Sequence, residues 1–133
     1  MAESNEQVYW AEESAPGPGT GLYRILFHFS PEGRSLTRMA DGKYIDINAA
    51  LLTLLGYTRE EVLGRAPLEL GIWPVTAQRD ALVKLLLEHG AVTGFKALIQ
   101  RRDGSTFDAL VSAALLEIEG ERYFLSSVIK SPD

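Results

Sequence analysis

The sequence has 133 residues, of which 46% are hydrophobic and 23% are charged, and its formal net charge at pH 7 is -5. This size predicts one globular domain, since domains typically hold about 100–150 residues. The acidic balance argues against a nucleic-acid groove, which needs clustered lysine and arginine to neutralise phosphates. The absence of cysteine excludes disulfides, thiolate metal ligands and cysteine nucleophiles.

No segment predicts a membrane span or a secretory signal. The longest apolar runs are far shorter than the about 20 residues that a membrane helix needs. The N-terminal stretch MAESNEQVYWAEES is acidic and lacks an apolar core. We therefore expect a cytoplasmic protein with no membrane contact.

Residues 1–21 are interpreted as a flexible or helical N-terminal arm. Ser4 and Gln7 have the spacing of a capping box, which favours a short helix just after them. The run SAPGPGTG over residues 14–21 then breaks regular structure, because proline removes a hydrogen-bond donor and glycine adds backbone freedom. Two interpretations stay open: a frayed tail, and an arm that docks on a second subunit or on its own domain.

An amphipathic helix is predicted directly after the arm. Apolar residues recur at i, i+3, i+4 and i+7 between positions 22 and 29, and Pro31 ends the pattern. We expect this stripe, together with the apolar part of the arm, to form a dimer interface. The candidate interface residues are Val8, Trp10, Leu22, Ile25, Leu26 and Phe29.

A hairpin and two short helices are predicted next. Asp41-Gly42 favours a tight turn, because both residues tolerate positive φ. The strand from Tyr44 to Ile47 is predicted to alternate its faces, which places Tyr44 beside Asp46. Each helix after it is too short to persist alone, since helix nucleation is costly, so both need packing from the rest of the domain.

Capping residues define the ends of those two helices. Asn48 is placed to cap the first, and Gly56 follows its last residue. Thr58 and Glu61 have capping-box spacing at the start of the second, which Gly64 terminates. Glu60 and Glu61 both fall in the first turn of the second helix, where negative charge interacts favourably with the helix dipole. This position explains the pair without a catalytic role.

The second half of the sequence predicts a longer helix and then a sheet. One helical turn is expected between Pro67 and Gly71, followed by a helix that Thr76 caps and Gly90 ends. The buried stripe of the long helix is predicted to contain Ala81, Leu82, Leu85 and Leu86.

After Gly90 the hydrophobic period changes from 3.6 to 2, which predicts three strands. Asp103-Gly104 and Glu119-Gly120 mark the two turns between them. The predicted order is therefore a hairpin, three helices and a three-stranded meander, which is an α+β arrangement.

Four stretches, taken in order, resemble the PAS domain family. They are FHFSPEG, DGKYIDINAALLTLLGYTREEVLGR, LGIW and RRDGSTFDALVSAALLEIEGERYFLSSVIK. The resemblance covers about residues 22–130 and leaves residues 131–133 as a tail. It implies a five-stranded antiparallel sheet of order 2-1-5-4-3 with helices packed on one face.

The resemblance also implies a function. PAS domains sense small ligands, redox state or light, and regulate an attached or partner output domain such as a histidine kinase, a diguanylate cyclase or a transcription regulator. We therefore expect a sensory module that binds a small ligand or cofactor, forms a homodimer, or does both, and that makes no nucleic-acid contact of its own. The alternative is a ligand-free protein–protein dimerisation module with a filled core.

The resemblance places a cavity between the short helices and the sheet. An apolar lining with one or two hydroxyls suits a small-molecule pocket and a filled core equally well. Trp73 in particular could stack on a flat ligand or plug the edge of the core. The candidate lining residues are Leu52, Leu55, Leu63, Ile72, Trp73, Phe95, Leu110, Leu125 and Ser127.

No catalytic or metal site is predicted. The sequence has no nucleophile elbow and no phosphate-binding glycine loop, so we expect no enzymatic activity. His28 and His89 are too far apart for metal-ligand spacing. His28 is expected to be solvated, and His89 suits a helix C-terminus better than a haem site. Flavin or haem are the cofactors that the resemblance allows, with no cysteine for a flavin adduct.

Overall fold

The computed structural model describes residues 18–132 of the chain, with side chains from residue 21 onward, so the candidate residues Val8 and Trp10 lie outside the described part. Helix α1 begins within the segment interpreted as an arm; the boundaries at residues 21 and 130 stay predictions. The elements in chain order are α1 (Pro18–His28), β1 (Gly33–Arg38), β2 (Tyr44–Ile47), α2 (Ala49–Leu55), α3 (Arg59–Val62), α4 (Pro67–Leu70), α5 (Thr76–His89), β3 (Ala91–Gln100), β4 (Thr106–Ile118) and β5 (Glu121–Lys130).

The five strands form one antiparallel sheet of order β2-β1-β5-β4-β3, which confirms the expected topology. Helices α2 and α5 pack on one face of this sheet, which we call the inner face. The core lies between them, because strand residues that alternate toward the helices bury their side chains there. Across residues 18–132, none of the helices has the length and apolar character needed to cross a membrane.

The local capping signals of α2 and α3 are confirmed, and the one at the start of α5 is not. The Asn48 side chain accepts a hydrogen bond from the backbone N–H of Leu51 at 3.0 Å, and Gly56 adopts φ 82° after the last residue of α2. Thr58 and Glu61 form the expected capping box at α3. The cap predicted at Thr76 is wrong, because Thr76 is already the first helical residue and Val75 occupies the N-cap.

A register shift between Leu36 and Thr37 changes which face each residue of β2 occupies. Thr37 lies opposite Tyr44, and Leu36 lies opposite Asp46. Tyr44 therefore joins the core on the inner face, whereas Asp46 is buried on the other side of the sheet. The prediction that these two side chains share a face is wrong, since a bulge breaks the two-residue alternation.

Candidate ligand cavity and the anchor of helix α1

A cavity of ≈ 50 Å³ lies between the helices and the inner face of the sheet. Most of its wall is apolar, with Leu51 and Leu55 contributed by α2 and Leu82 and Leu86 by α5. Wall residues on neighbouring strands alternate with outward-facing ones, because successive side chains of a strand point to opposite faces. The cavity is bounded by α2, α5 and the sheet, and also by Ile72 and Trp73 of the segment between α4 and α5.

Five polar side chains also line this cavity, and we call them the cavity polar group: Ser35, Thr37, Tyr44, Arg79 and Ser126. Four of them come from three adjacent strands and the fifth from α5, so distant parts of the chain meet here. Within residues 21–132, none of the five side chains forms a hydrogen bond or ion pair with another residue. Such unpaired clusters are rare, since most buried polar groups have partners.

The two ionisable members of the cavity polar group respond to burial in opposite directions. Burial lowers the pKa of Arg79 from its ordinary value, and it raises the pKa of the Tyr44 hydroxyl. An arginine still remains protonated at neutral pH, because its ordinary pKa is so high. The cavity wall therefore presents one fixed positive charge and four neutral hydroxyls.

The candidate lining residues divide into three sets. Leu55, Ile72 and Trp73 line the cavity. Leu52, Leu63 and Phe95 are half-buried and pack against the core without lining it. The remaining three, Leu110, Leu125 and Ser127, line a groove on the opposite face of the sheet, which we call the outer groove.

The cavity polar group was missed by sequence reasoning, although part of it leaves a signal. Arg79 lies three, four and seven residues before Leu82, Val83 and Leu86, and all four line the cavity. This spacing places them on one helix face. The predicted stripe was shifted from this face: Leu82 and Leu86 are buried, whereas Ala81 is exposed.

A second polar cluster lies at the end of β2, and we call it the β2-end anchor: Asp46 and Asn48 with their partners. The Asp46 carboxylate accepts a hydrogen bond from the Tyr23 hydroxyl at 2.6 Å and lies 3.2 Å from Nε2 of His28. It also pairs with the Arg59 guanidinium of α3. His28 is therefore not solvated as expected; it lies against a buried carboxylate.

Asn48 is fully buried and satisfies four backbone groups. Its Oδ1 accepts hydrogen bonds from the N–H of Arg34 at 2.9 Å and of Leu51 at 3.0 Å. Its Nδ2 donates to the carbonyls of Phe27 at 2.8 Å and Glu32 at 2.9 Å. One side chain thus joins the C-terminal turn of α1, the start of β1 and the N-terminus of α2.

The outward side of α1 is apolar. Leu22, Ile25, Leu26 and Phe29, the residues of the predicted stripe, are 56–78% exposed. The outer groove on the sheet is also largely apolar, with Leu110, Leu125 and Ile129 among its lining residues. Exposed apolar surfaces of this kind typically mark interaction sites.

The second histidine does not approach the cavity. His89 is the last residue of α5, and its exposed ring lies 3.8 Å from the Glu88 carboxylate. In the described part of the chain, no group of three or more His, Cys, Asp or Glu side chains is arranged to hold a metal ion.

Comparison with known structures supports the fold described above. The PAS domain of an HTR-like protein from Haloarcula marismortui is 28% identical with a TM-score of 0.68, and the match covers 85% of this chain and 92% of that one. A PAS domain from a two-component sensor histidine kinase has a TM-score of 0.74 at 19% identity, covering 85% of this chain and 96% of that one. The Rhodobacter sphaeroides LOV protein has a TM-score of 0.69 at 23% identity, and the match covers 82% of this chain and 64% of that one.

No curated protein matches the sequence. A family model described as a PAS domain matches residues 35–130, which is well over half of the chain. The matched segment contains the whole sheet apart from the first two residues of β1, and the sheet has the strand order expected of this fold. The chain therefore belongs to the PAS domain family of sensory signalling modules.

Proposed function

We propose that this PAS domain binds a small ligand in its cavity and associates with a second copy through α1, and thereby controls an attached or partner output domain. The observation that carries this proposal is the position of Asn48. It caps α2, whose Leu51 and Leu55 line the cavity, and it bonds the Phe27 carbonyl of α1. A sensor needs such a connection between the site that is occupied and the surface that responds.

The volume of the cavity limits the ligand. Pockets for drug-sized molecules typically enclose about 300–1,000 Å³, whereas this cavity encloses ≈ 50 Å³. The fused rings of a flavin or a haem do not fit this space, and the sequence has no cysteine for a flavin adduct. The ligand of this proposal is therefore a much smaller molecule.

The proposed association uses two apolar surfaces of the same chain. Helix α1 presents a convex apolar side, and the sheet presents the concave outer groove. A two-fold axis allows each copy to place its helix against the other, because the same patch then serves both subunits. A histidine kinase, a diguanylate cyclase or a transcription regulator would be a suitable output domain, and the structural likeness to the histidine-kinase PAS domain favours the first.

Sedimentation velocity over a range of protein concentrations tests the association. Leu26→Glu places a charge in the exposed stripe of α1, and we expect it to convert a dimer to a monomer. Leu87→Glu is the matched control, because Leu87 is also an exposed leucine on a helix but lies on α5. Identical sedimentation of wild type and Leu26→Glu would contradict association through α1.

The second candidate function is a ligand-free dimerisation module, favoured by the small volume of the cavity. Native mass spectrometry of gently purified protein, set beside its denatured mass, separates the two candidates. Extra mass that disappears on denaturation supports ligand sensing. A bare mass at twice that of the chain supports association alone. In both cases we propose a cytoplasmic module without enzymatic activity of its own.

A further inference from the structure

The cavity polar group points to the chemistry of the ligand. We propose that the cavity binds a small monocarboxylate, with its charged end at Arg79 and the strand hydroxyls and its apolar end against α2. This inference rests on the proposed ligand-sensing function and specifies the class of molecule that is sensed. It depends on three features of the cavity: its charge, its donors and its size.

The charge of the cavity is positive and uncompensated. Arg79 is the one charged residue among those lining the cavity, and none of the others is acidic. Among the described residues, no carboxylate lies within 4.0 Å of its guanidinium, and the neighbouring Asp80 acts on it only at longer range. Arg79 is half-buried, and partial burial of an unpaired cation costs free energy, in the same direction as its lowered pKa. An anion in the cavity would remove that cost.

The donors of the cavity suit a carboxylate. Ser35 and Ser126 are directly opposite each other on β1 and β5, and Thr37 follows on the same face of β1. Each hydroxyl can donate one hydrogen bond, and the planar guanidinium can offer two parallel ones. Because the four groups have no other described partner, a carboxylate could accept from them without breaking any existing bond.

The size and remaining wall of the cavity limit the ligand to one charge and few atoms. A water molecule needs about 10–15 Å³ of such space, so ≈ 50 Å³ holds roughly four heavy atoms. Acetate, propionate and lactate have about this number of heavy atoms. A second carboxylate would lie among Leu51, Leu55 and Leu86, where an unpaired charge is unfavourable.

Arg79 also lines a surface groove beside the cavity. This groove lies between the β1–β2 turn, α4 and α5, and it shares Pro67, Arg79, Val83 and Phe124 with the cavity. Of these four shared residues, Arg79 is the charged one. This position places the charged end of the ligand toward the groove and its apolar end toward the core.

Calorimetric titration of the full chain with acetate, propionate and lactate tests the proposal, with sodium chloride holding the ionic strength constant. We expect saturable binding of at least one of them, no binding of the neutral analogue propionamide, and a matching rise in the melting temperature. Equal binding of propionamide would overturn the proposal, and so would the absence of both heat and a melting shift for all three acids. Competition by chloride or nitrate at equal affinity would also overturn it.

Three variants identify the binding residues. Arg79→Gln should weaken binding on the order of 10- to 100-fold, because a charge-assisted hydrogen bond is lost. Thr37→Val should weaken it about 2- to 10-fold and provides a second test if Arg79→Gln fails to fold. Arg122→Gln, an exposed arginine at the start of β5, is the control and should bind as wild type. Undiminished binding by Arg79→Gln would contradict the assignment.

Native mass spectrometry and the carboxylate titrations together distinguish a failure of this inference from a failure of the proposed function. A neutral adduct in native mass spectrometry would overturn the carboxylate while leaving ligand sensing in place. No adduct, together with no carboxylate binding, would remove both and leave only association. Unchanged sedimentation of Leu26→Glu bears on the dimer and not on the ligand.

Discussion

The β2-end anchor and the cavity polar group both combine buried polar side chains with more exposed ones, but they differ in how their atoms are paired. In the anchor, Asn48 uses its amide for four hydrogen bonds. The Asp46 carboxylate also has four partners, which are the Tyr23 hydroxyl, the His28 ring, the Arg59 guanidinium and the backbone N–H of Ile47. In the cavity, five polar side chains have no partner among the described residues. Buried polar groups stabilise a fold only when they are paired, so the first cluster is structural and the second suits binding.

The largest expected effect comes from breaking the anchor at Asn48. Asn48→Ala leaves the N–H groups of Arg34 and Leu51 and the carbonyls of Phe27 and Glu32 without this partner. Since each unsatisfied buried group costs about 1–3 kcal/mol, we expect the free energy of unfolding to fall by about 3–5 kcal/mol.

Urea unfolding followed by circular dichroism measures this loss. Thr53→Ala, an exposed position on the same helix, is the control and should change the free energy of unfolding by less than about 0.5 kcal/mol. A loss below about 1 kcal/mol for Asn48→Ala would show that the anchor is not the structural cluster described above.

An intermediate effect is expected at Gly33, where β1 packs tightly against Leu51 of α2. A Cβ added at Gly33 would lie 3.0 Å from two side-chain atoms of Leu51. Gly33→Ala should therefore lower the free energy of unfolding by about 1–3 kcal/mol through overpacking. Gly21→Ala, with nothing within 4 Å of the added carbon, should raise it by about 0.5–1 kcal/mol. Equal thermal stability of the two variants would contradict this close packing.

The smallest effect is expected in the cavity polar group. Ser35 is buried like Asn48, yet its hydroxyl has no described partner. Ser35→Ala removes no hydrogen bond, so we expect the free energy of unfolding of ligand-free protein to change by less than about 0.5 kcal/mol. The same urea titration checks this, and a loss above about 1 kcal/mol would remove the contrast between the two clusters.

Features with a local physical cause could be predicted from the sequence. The caps at Asn48 and Gly56 and the turn at Glu119-Gly120 were predicted because their physical cause lies within a few residues. The strand order came from the family resemblance and is confirmed.

Features that depend on distant residues were not predicted. Tyr23 and His28 reach Asp46 across 23 and 18 positions, so nothing local indicates that His28 is half-buried. The side assigned to Tyr44 depends on a bulge in β2, where Tyr44 and Asp46 lie opposite the consecutive residues Thr37 and Leu36 of β1. The burial of His28 and the face occupied by Tyr44 both depend on how separate elements pair. The hydrophobic period of a single segment does not contain that information.

The bonds of Asn48 to both α1 and α2 have a thermodynamic consequence. If occupancy of the cavity shifts the α2 end of this connection and association shifts the α1 end, the two equilibria share one coupling free energy. Linkage then requires reciprocity: whatever factor the ligand applies to the dimer constant, dimerisation applies to the ligand constant. The affinity of the cavity would accordingly depend on protein concentration.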